Sequence, residues 1–202
     1  MSKFGWIKMN KVTKKNKMIN SKKEYKRYIK YEEENYKNSY PNFTKELKKI
    51  LKFQKLYRKL EYYTNCKKGF LNKLIKKELQ YRFDKKSIKY GFHIPINTIE
   101  EGLCIIHTGP IYINENSSIG KNFRIHPMTT IGKNIGRDQT SPKIGNNVWI
   151  GPGARLYGNI KIGDNTVIGT NSVVNKSFKG NVTIAGAPAK IINNKGYKDY
   201  FN

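Results

Sequence analysis

The chain has 202 residues, enough for one moderate domain or for a small helical region in front of a second one. Its 40 Lys and Arg against 14 Asp and Glu give +26, and residues 1–90 hold 28 of the bases against 8 of the acids, a balance of +20. Two cysteines, Cys66 and Cys104, exclude a disulfide framework and suit reduced thiols, and no apolar run approaches the roughly eighteen residues of a spanning helix.

Such basicity invites a nucleic-acid reading. No zinc-finger spacing or RNA-binding aromatic signature accompanies it, and a Lys/Asn/Ile-rich composition raises Lys without any function, so nucleic acid is not the expected partner. An anionic membrane surface or an acidic glycan suits the basic half better. The cytoplasm, with peripheral attachment at the inner face of the membrane, is the expected location.

Residues 1–20 read as a basic flexible tail without the apolar stretch of a signal peptide. Residues 21–89 read as an α-helical region. Tyr25, Tyr28, Ile29 and Tyr36 recur at helical spacing until Pro41 interrupts, and Asn42 is the expected N-cap of the next helix. That helix is apolar on two sides, with Phe43, Leu47, Ile50, Leu51 and Tyr57 on one and Phe53, Leu56, Leu60 and Tyr63 on the other, as for a helix sandwiched between neighbours. A shorter helix follows, with Phe70, Leu71, Leu74, Ile75 and Leu79 as its packing residues.

From Ile99 onward a branched aliphatic returns every six positions: Ile99, Ile105 and Ile111; then Ile113, Ile119, Ile125 and Ile131; then Ile144, Ile150, Leu156, Ile162, Ile168 and Val174. Gly often follows, as at Gly120, Gly132, Gly145, Gly151, Gly163 and Gly169. A helix cannot hold period six on one face, whereas a parallel β-helix repeats a short strand and a tight corner at that interval. Glycine at the corners is expected to supply backbone angles closed to other residues. Three-sided coils of about eighteen residues would rise about 4.8 Å each. The loop 133–143, rich in Gly, Asp, Ser and Pro, would project from one corner, and 193–202 reads as a solvated C-terminal tail.

Residues 90–192 resemble the hexapeptide-repeat acyltransferases. "GLCIIHTGPIYINENSSIG", "SPKIGNNVWIGPGARLYGNIKIGDNTVIGTNSVV" and "AGAPAKII" are similar to the serine acetyltransferase branch, from about Tyr90 to Ile191. The resemblance implies a mainly β fold, a left-handed parallel β-helix preceded by α-helices, although the general crossover rule favours the right hand. It implies a homotrimer with sites between neighbouring coils, acetyl-CoA as acyl donor, and no metal.

It also implies roles. Of the three histidines, His107 falls on the position of the family's catalytic base, and a neutral imidazole, with an ordinary pKa of about 6.5, can take a hydroxyl proton at cellular pH. The family's Asp fifteen residues before that base is Phe92 here, so Glu115, kept eight residues after it, is expected to orient His107 or to position the acceptor. Ile106 stands where the family has Asp, and Thr140 and Ser141 stand where it has Arg-His. Phe92, Ile106, His126 and Ser141 are therefore the expected acceptor-binding positions, with the charge for an amino acid's ammonium and carboxylate removed. The expected acceptor is a sugar hydroxyl of a surface glycan, a capsule or exopolysaccharide precursor. The alternative is serine O-acetylation for cysteine biosynthesis, and a reading of another class is a non-catalytic β-helix scaffold with a polyanion-binding N-terminus. Coenzyme A is expected at Gly151, Pro152, Gly153 and Ala154, at Gly169 and Thr170, and at the closing turn of Ala185, Gly186 and Pro188, with Lys190 meeting a phosphate. Trp149 either stacks near the pantetheine arm or simply packs.

Overall fold

The computed structural model describes residues 18–42, 44–134 and 140–201. Most of the tail 1–20, Phe43 and the middle of the loop 133–143 lie outside the described residues. Three helices lead, α1 (Lys22–Ser39), α2 (Lys45–Cys66) and α3 (Phe70–Tyr90), and a coil of parallel strands follows. The Ser21 hydroxyl caps α1 by accepting from Glu24 N–H. α2 is capped by Thr44, whose side chain accepts from Leu47 N–H, and not by Asn42. α2 does lie between α1 and α3. α3 is not the shorter helix expected: it runs 21 residues, and only Leu79 and Phe83 on it are buried. Phe70, Leu71, Leu74 and Ile75, read as packing residues, are exposed.

The coil has three faces. The first stacks Phe92–His93, Ile111–Ile113, Thr129–Gly132, Arg155–Tyr157 and Val173–Val174. The second stacks Ser118–Ile119, Lys143–Ile144 and Lys161–Ile162. The third stacks Cys104–Ile105, Phe123–Ile125, Val148–Ile150 and Thr166–Ile168, then ends on the antiparallel hairpin of Val182–Gly186 and Ala189–Asn193. Register places Ile105 on Ile125, Ile125 on Ile150 and Ile150 on Ile168, so the period-six aliphatics pile up inside. All of them are buried.

The glycines do a different job from the one expected. Gly120, Gly145 and Gly163 do not have positive φ; a Cβ on Gly145 would come within 2.8 Å of Asp164 N and one on Gly163 within 2.3 Å of Gly180 N. They are small because the next coil passes over them. The left-handed backbone falls on asparagine, two residues later at Asn122, Asn147 and Asn165 and directly after Gly180 at Asn181, with φ of 54–61°. Asparagine tolerates that conformation and its amide bridges coils, Asn122 donating to Asn147 Oδ1 and Asn165 to Asn181 Oδ1, both at 2.8 Å. Asn147→Val should therefore lower stability by about 2–3 kcal/mol, from strain plus a lost hydrogen bond, and Asn147→Gly by only about 1 kcal/mol. Urea unfolding of the two variants measures the difference.

The first coil has no coil beneath it, and the helices satisfy its open edge. Gln54 donates to Leu103 O (2.7 Å), Ile105 N–H donates to the Tyr36 hydroxyl (2.8 Å), and Leu103 N–H donates to Glu32 (3.2 Å). Arg58, fully buried, donates to Ile99 O (2.9 Å) and Glu100 O (2.6 Å) and pairs with Glu32 (2.7 Å) and Glu61 (2.8 Å). Covering an unpaired strand edge with hydrogen-bonding side chains removes a template for aggregation. At its far end the coil carries the hairpin, and residues 193–202 are not simply a solvated tail. They include α4 (Tyr197–Phe201), whose Tyr197 is buried and whose Tyr197 and Phe201 rings lie 5.7 and 5.0 Å from the Arg124 guanidinium.

Candidate functional site

Each third-face strand ends in a corner leading to the first face, and one residue per coil stacks there. From the capped end upward the register aligns Ile106, His126, Gly151, Gly169 and Ala185, four steps of about 4.8 Å, hence a column of about 19 Å, with His107 one residue past Ile106 at its foot. The His107 and His126 rings are 6.4 Å apart, and His126 meets Trp149 edge to face at 4.8 Å. Beyond Trp149, Phe201 of α4 stacks at 6.4 Å.

His107 is exposed, and its Nδ1 faces Glu46 Oε2 at 3.3 Å. The other oxygen of Glu46 is held by Thr108, through N–H (2.9 Å) and Oγ1–H (2.7 Å). These Thr108 hydrogen bonds, backbone first, hold the Glu46 carboxyl below the usual range, so it stays ionised where an imidazole titrates. A carboxylate only accepts, so Nδ1 of a neutral His107 carries the proton and Nε2 presents a lone pair outward. His126 has the same tautomer for another reason: its Nδ1 donates to Ile150 O at 3.0 Å. Burial, with a smaller push from His107, lowers its pKa and keeps it neutral.

Glu46 was invisible to sequence reasoning. It lies 61 residues before His107, in the first turn of α2, where an acid reads as an ordinary helix-dipole partner. Glu115, expected to orient His107 or to position the acceptor, stands past the far end of the strand Ile111–Ile113, at the corner toward the second face and not at the corner of His107. There it lines a cavity of about 580 Å³ with Asp84, His93 and Tyr112. Three expected acceptor positions point into the fold. Phe92 is buried against Phe53 and Tyr90, Ile106 is buried with its N–H on Ile125 O, and the buried Ser141 hydroxyl donates to Asn114 Oδ1 at 2.8 Å. Only His126 of that set brings its side chain against the His107 ring.

The residues expected to hold coenzyme A do gather along the column. Gly151 N–H is engaged by Ile168 O and Gly169 N–H by Ile184 O, so both are coil corners first. A Cβ on Gly151 would lie 2.8 Å from Thr170 N, and one on Gly169 2.8 Å from the Ala185 methyl, which brings these residues into one narrow strip. Pro152, Gly153 and Ala154 continue that corner, with Gly153 at φ +76° and Ala154 buried. Gly186 and Pro188 are exposed at the hairpin turn and Lys190 on its returning strand. Cys104 is buried, which pushes its thiol up to about 12; it is no nucleophile. Among the described residues no group of three or more His, Cys, Asp or Glu is arranged to hold a metal ion.

Residues 141–176 match the bacterial transferase hexapeptide (six repeats) family. A serine acetyltransferase of Staphylococcus aureus is 39% identical over 101 residues, 50% of this chain and 47% of that protein. One from Buchnera aphidicola is 34% identical over 111 residues, 54% of this chain and 40% of that protein. The chain thus spans about half or less of the length of these curated relatives. Among solved structures, serine acetyltransferase from Brucella abortus superposes with a TM-score of 0.67 at 26% identity, over 89% of this chain and 73% of that one. The same enzyme in complex with coenzyme A superposes at 0.63 and 25%, over 89% and 72%.

Proposed function

We propose that this chain, a left-handed β-helix of the hexapeptide-repeat transferase type, is an acetyl-CoA-dependent O-acetyltransferase in which His107 is the general base. The observation that carries the reading is the Glu46–His107 pair, an oriented imidazole at the foot of a glycine-lined column. His107 Nε2 takes the proton of the acceptor hydroxyl while that oxygen attacks the thioester carbonyl. The tetrahedral intermediate then collapses, the carbon–sulfur bond breaks, and His107 returns the proton to the departing thiolate. Glu46 steadies the imidazolium formed in between, as a carboxylate on Nδ1 does in hydrolase triads. No residue need become acylated. The strip from Gly151 to Ala185 would carry an extended pantetheine arm, and the exposed Lys190 would meet a phosphate. A homotrimer, with the column facing a neighbouring coil, fits the exposure of His107.

The acceptor has two readings. The relatives and the superposed structures are serine acetyltransferases, which favours serine. A sugar hydroxyl is favoured by one feature of this chain: Phe92, Ile106 and Ser141 are buried and uncharged, leaving Glu46 as the only carboxylate among the described residues bonded to His107 or Thr108. Thiol release from acetyl-CoA over a panel of serine, nucleotide sugars and purified glycans separates them. We expect turnover with at least one hydroxyl acceptor well above the rate with water. Serine as the best acceptor removes the glycan reading, and no acceptor-dependent thiol release removes both.

A further inference from the structure

The first two turns of α3 bury nothing. Phe70 and Leu71 are 74% and 73% exposed, and Leu74 and Ile75 are also open to solvent. At 100° per residue these four side chains fall within an arc of about 140°, so they form one apolar face and not a scatter. Further along the same side Tyr81 and Ile88 are exposed as well.

The surroundings of that face are cationic. Lys67 and Lys68 precede it, Lys73 and Lys77 flank it, and none of the four forms an ion pair among the described residues. Arg82, Lys85 and Lys89 continue the exposed side toward the C-terminal end, five bases with Lys73 and Lys77 against the two carboxylates Glu78 and Asp84. A second copy of the chain laid on this face would set lysines against lysines. A protein partner would need an acidic rim around an apolar centre. An anionic bilayer offers both at once over any contact area, phosphates at the level of the lysines and acyl chains beneath.

We propose that the N-terminal half of α3 docks the protein onto an anionic lipid surface, Phe70, Leu71, Leu74 and Ile75 entering the headgroup–acyl boundary and the flanking lysines meeting lipid phosphates. An interfacial helix of this kind sinks about 5–10 Å, and an apolar and a polybasic signal together make the attachment stable. The inference goes beyond the transfer chemistry and stands whichever hydroxyl is acetylated.

Co-sedimentation of the full chain with phosphatidylglycerol/phosphatidylcholine vesicles tests it. Binding is expected at low salt and falls steeply as the Debye length shrinks from about 10 Å at 0.1 M to about 3 Å at 1 M. Phe70→Ser with Leu71→Ser should weaken it at least about tenfold at low salt while leaving the melting temperature unchanged, because both side chains are exposed. Equal binding to pure phosphatidylcholine vesicles overturns the proposal, as does full vesicle binding by the double variant, which would assign the attraction to charge elsewhere. A fall in the mass of the vesicle-free protein in sedimentation velocity on making the double variant also overturns it, since the face would then be a self-contact.

Discussion

His107→Ala is expected to lower turnover about 10²–10⁴-fold, some 3–5 kcal/mol of transition-state stabilisation, with acetyl-CoA affinity nearly unchanged. The asymmetry follows from position. On the proposed roles the acceptor hydroxyl lies beside the imidazole at the foot of the column, and the Gly151–Ala185 strip for the donor begins two coils away. Asn at 107, closer in shape, should behave like Ala, because it cannot take a proton. Glu46→Gln gives an intermediate loss of roughly 10–10²-fold, a part of the same catalytic term. Its amide can still accept from Thr108, but it no longer presents an obligate acceptor to His107 Nδ1, so the imidazole samples the wrong tautomer. The two variants together should be little worse than His107→Ala alone, since Glu46 acts through the imidazole. Steady-state rates and donor binding measured on all four proteins check this. Near-normal turnover of His107→Ala would shift the base to His126, half-buried against Trp149 but with its Nε2 unbonded among the described residues.

Arg58→Ala is expected to cost about 3–5 kcal/mol of stability, read from urea unfolding. The side chain is fully buried and answers two buried carboxylates and two backbone carbonyls at the coil's open edge. Without it Glu32 and Glu61 are stranded. Burial, opposed by the Arg58 charge, already raises the pKa of Glu32 above that of an ordinary carboxyl. A group raised in the folded state stabilises below its unfolded value, about 4.3 for Glu, and loses that contribution as pH rises through the folded value. The deficit of Arg58→Ala should therefore be smaller near pH 5 than near pH 8, and Glu32→Gln in the same chain should recover part of it. An equal deficit at both pH values would mean that neither carboxylate had taken up a proton.

The coil was legible because its core repeats in sequence: six-residue spacing is set by one strand and one corner, and every residue that kept it is buried. The reason for Gly at the corners was not legible, since absence of a side chain suits either unusual φ or a close neighbour. The Asn two positions on was the residue to weigh, in Gly120-Lys121-Asn122 and Gly163-Asp164-Asn165 alike. Within the site, His107 and the glycine strip came from the repeat region and its resemblance, whereas Glu46 came from a helix whose relation to the coil is purely tertiary. Position-by-position transfer misled at Phe92, Ile106 and Ser141, because it carries the place of a side chain and not its direction. α3 misled because an apolar residue on a helix reads the same whether it faces a core or water.

A stack in which each coil touches only the coils above and below has nearest-neighbour cohesion, so its two ends need not open together. His107 lies on the terminal coil, and the helix carrying Glu46 is the lid beneath it. Fraying of that lid would dismantle the base and its carboxylate in one event while leaving the strip from Gly151 to Ala185 zipped. On the proposed roles donor grip and proton transfer would then fall in separately opening parts of the stack, and amide exchange that quickened at Leu103 and Ile105 but not at Val167 and Ile184 would betray a protein still able to hold its donor after it had lost its chemistry.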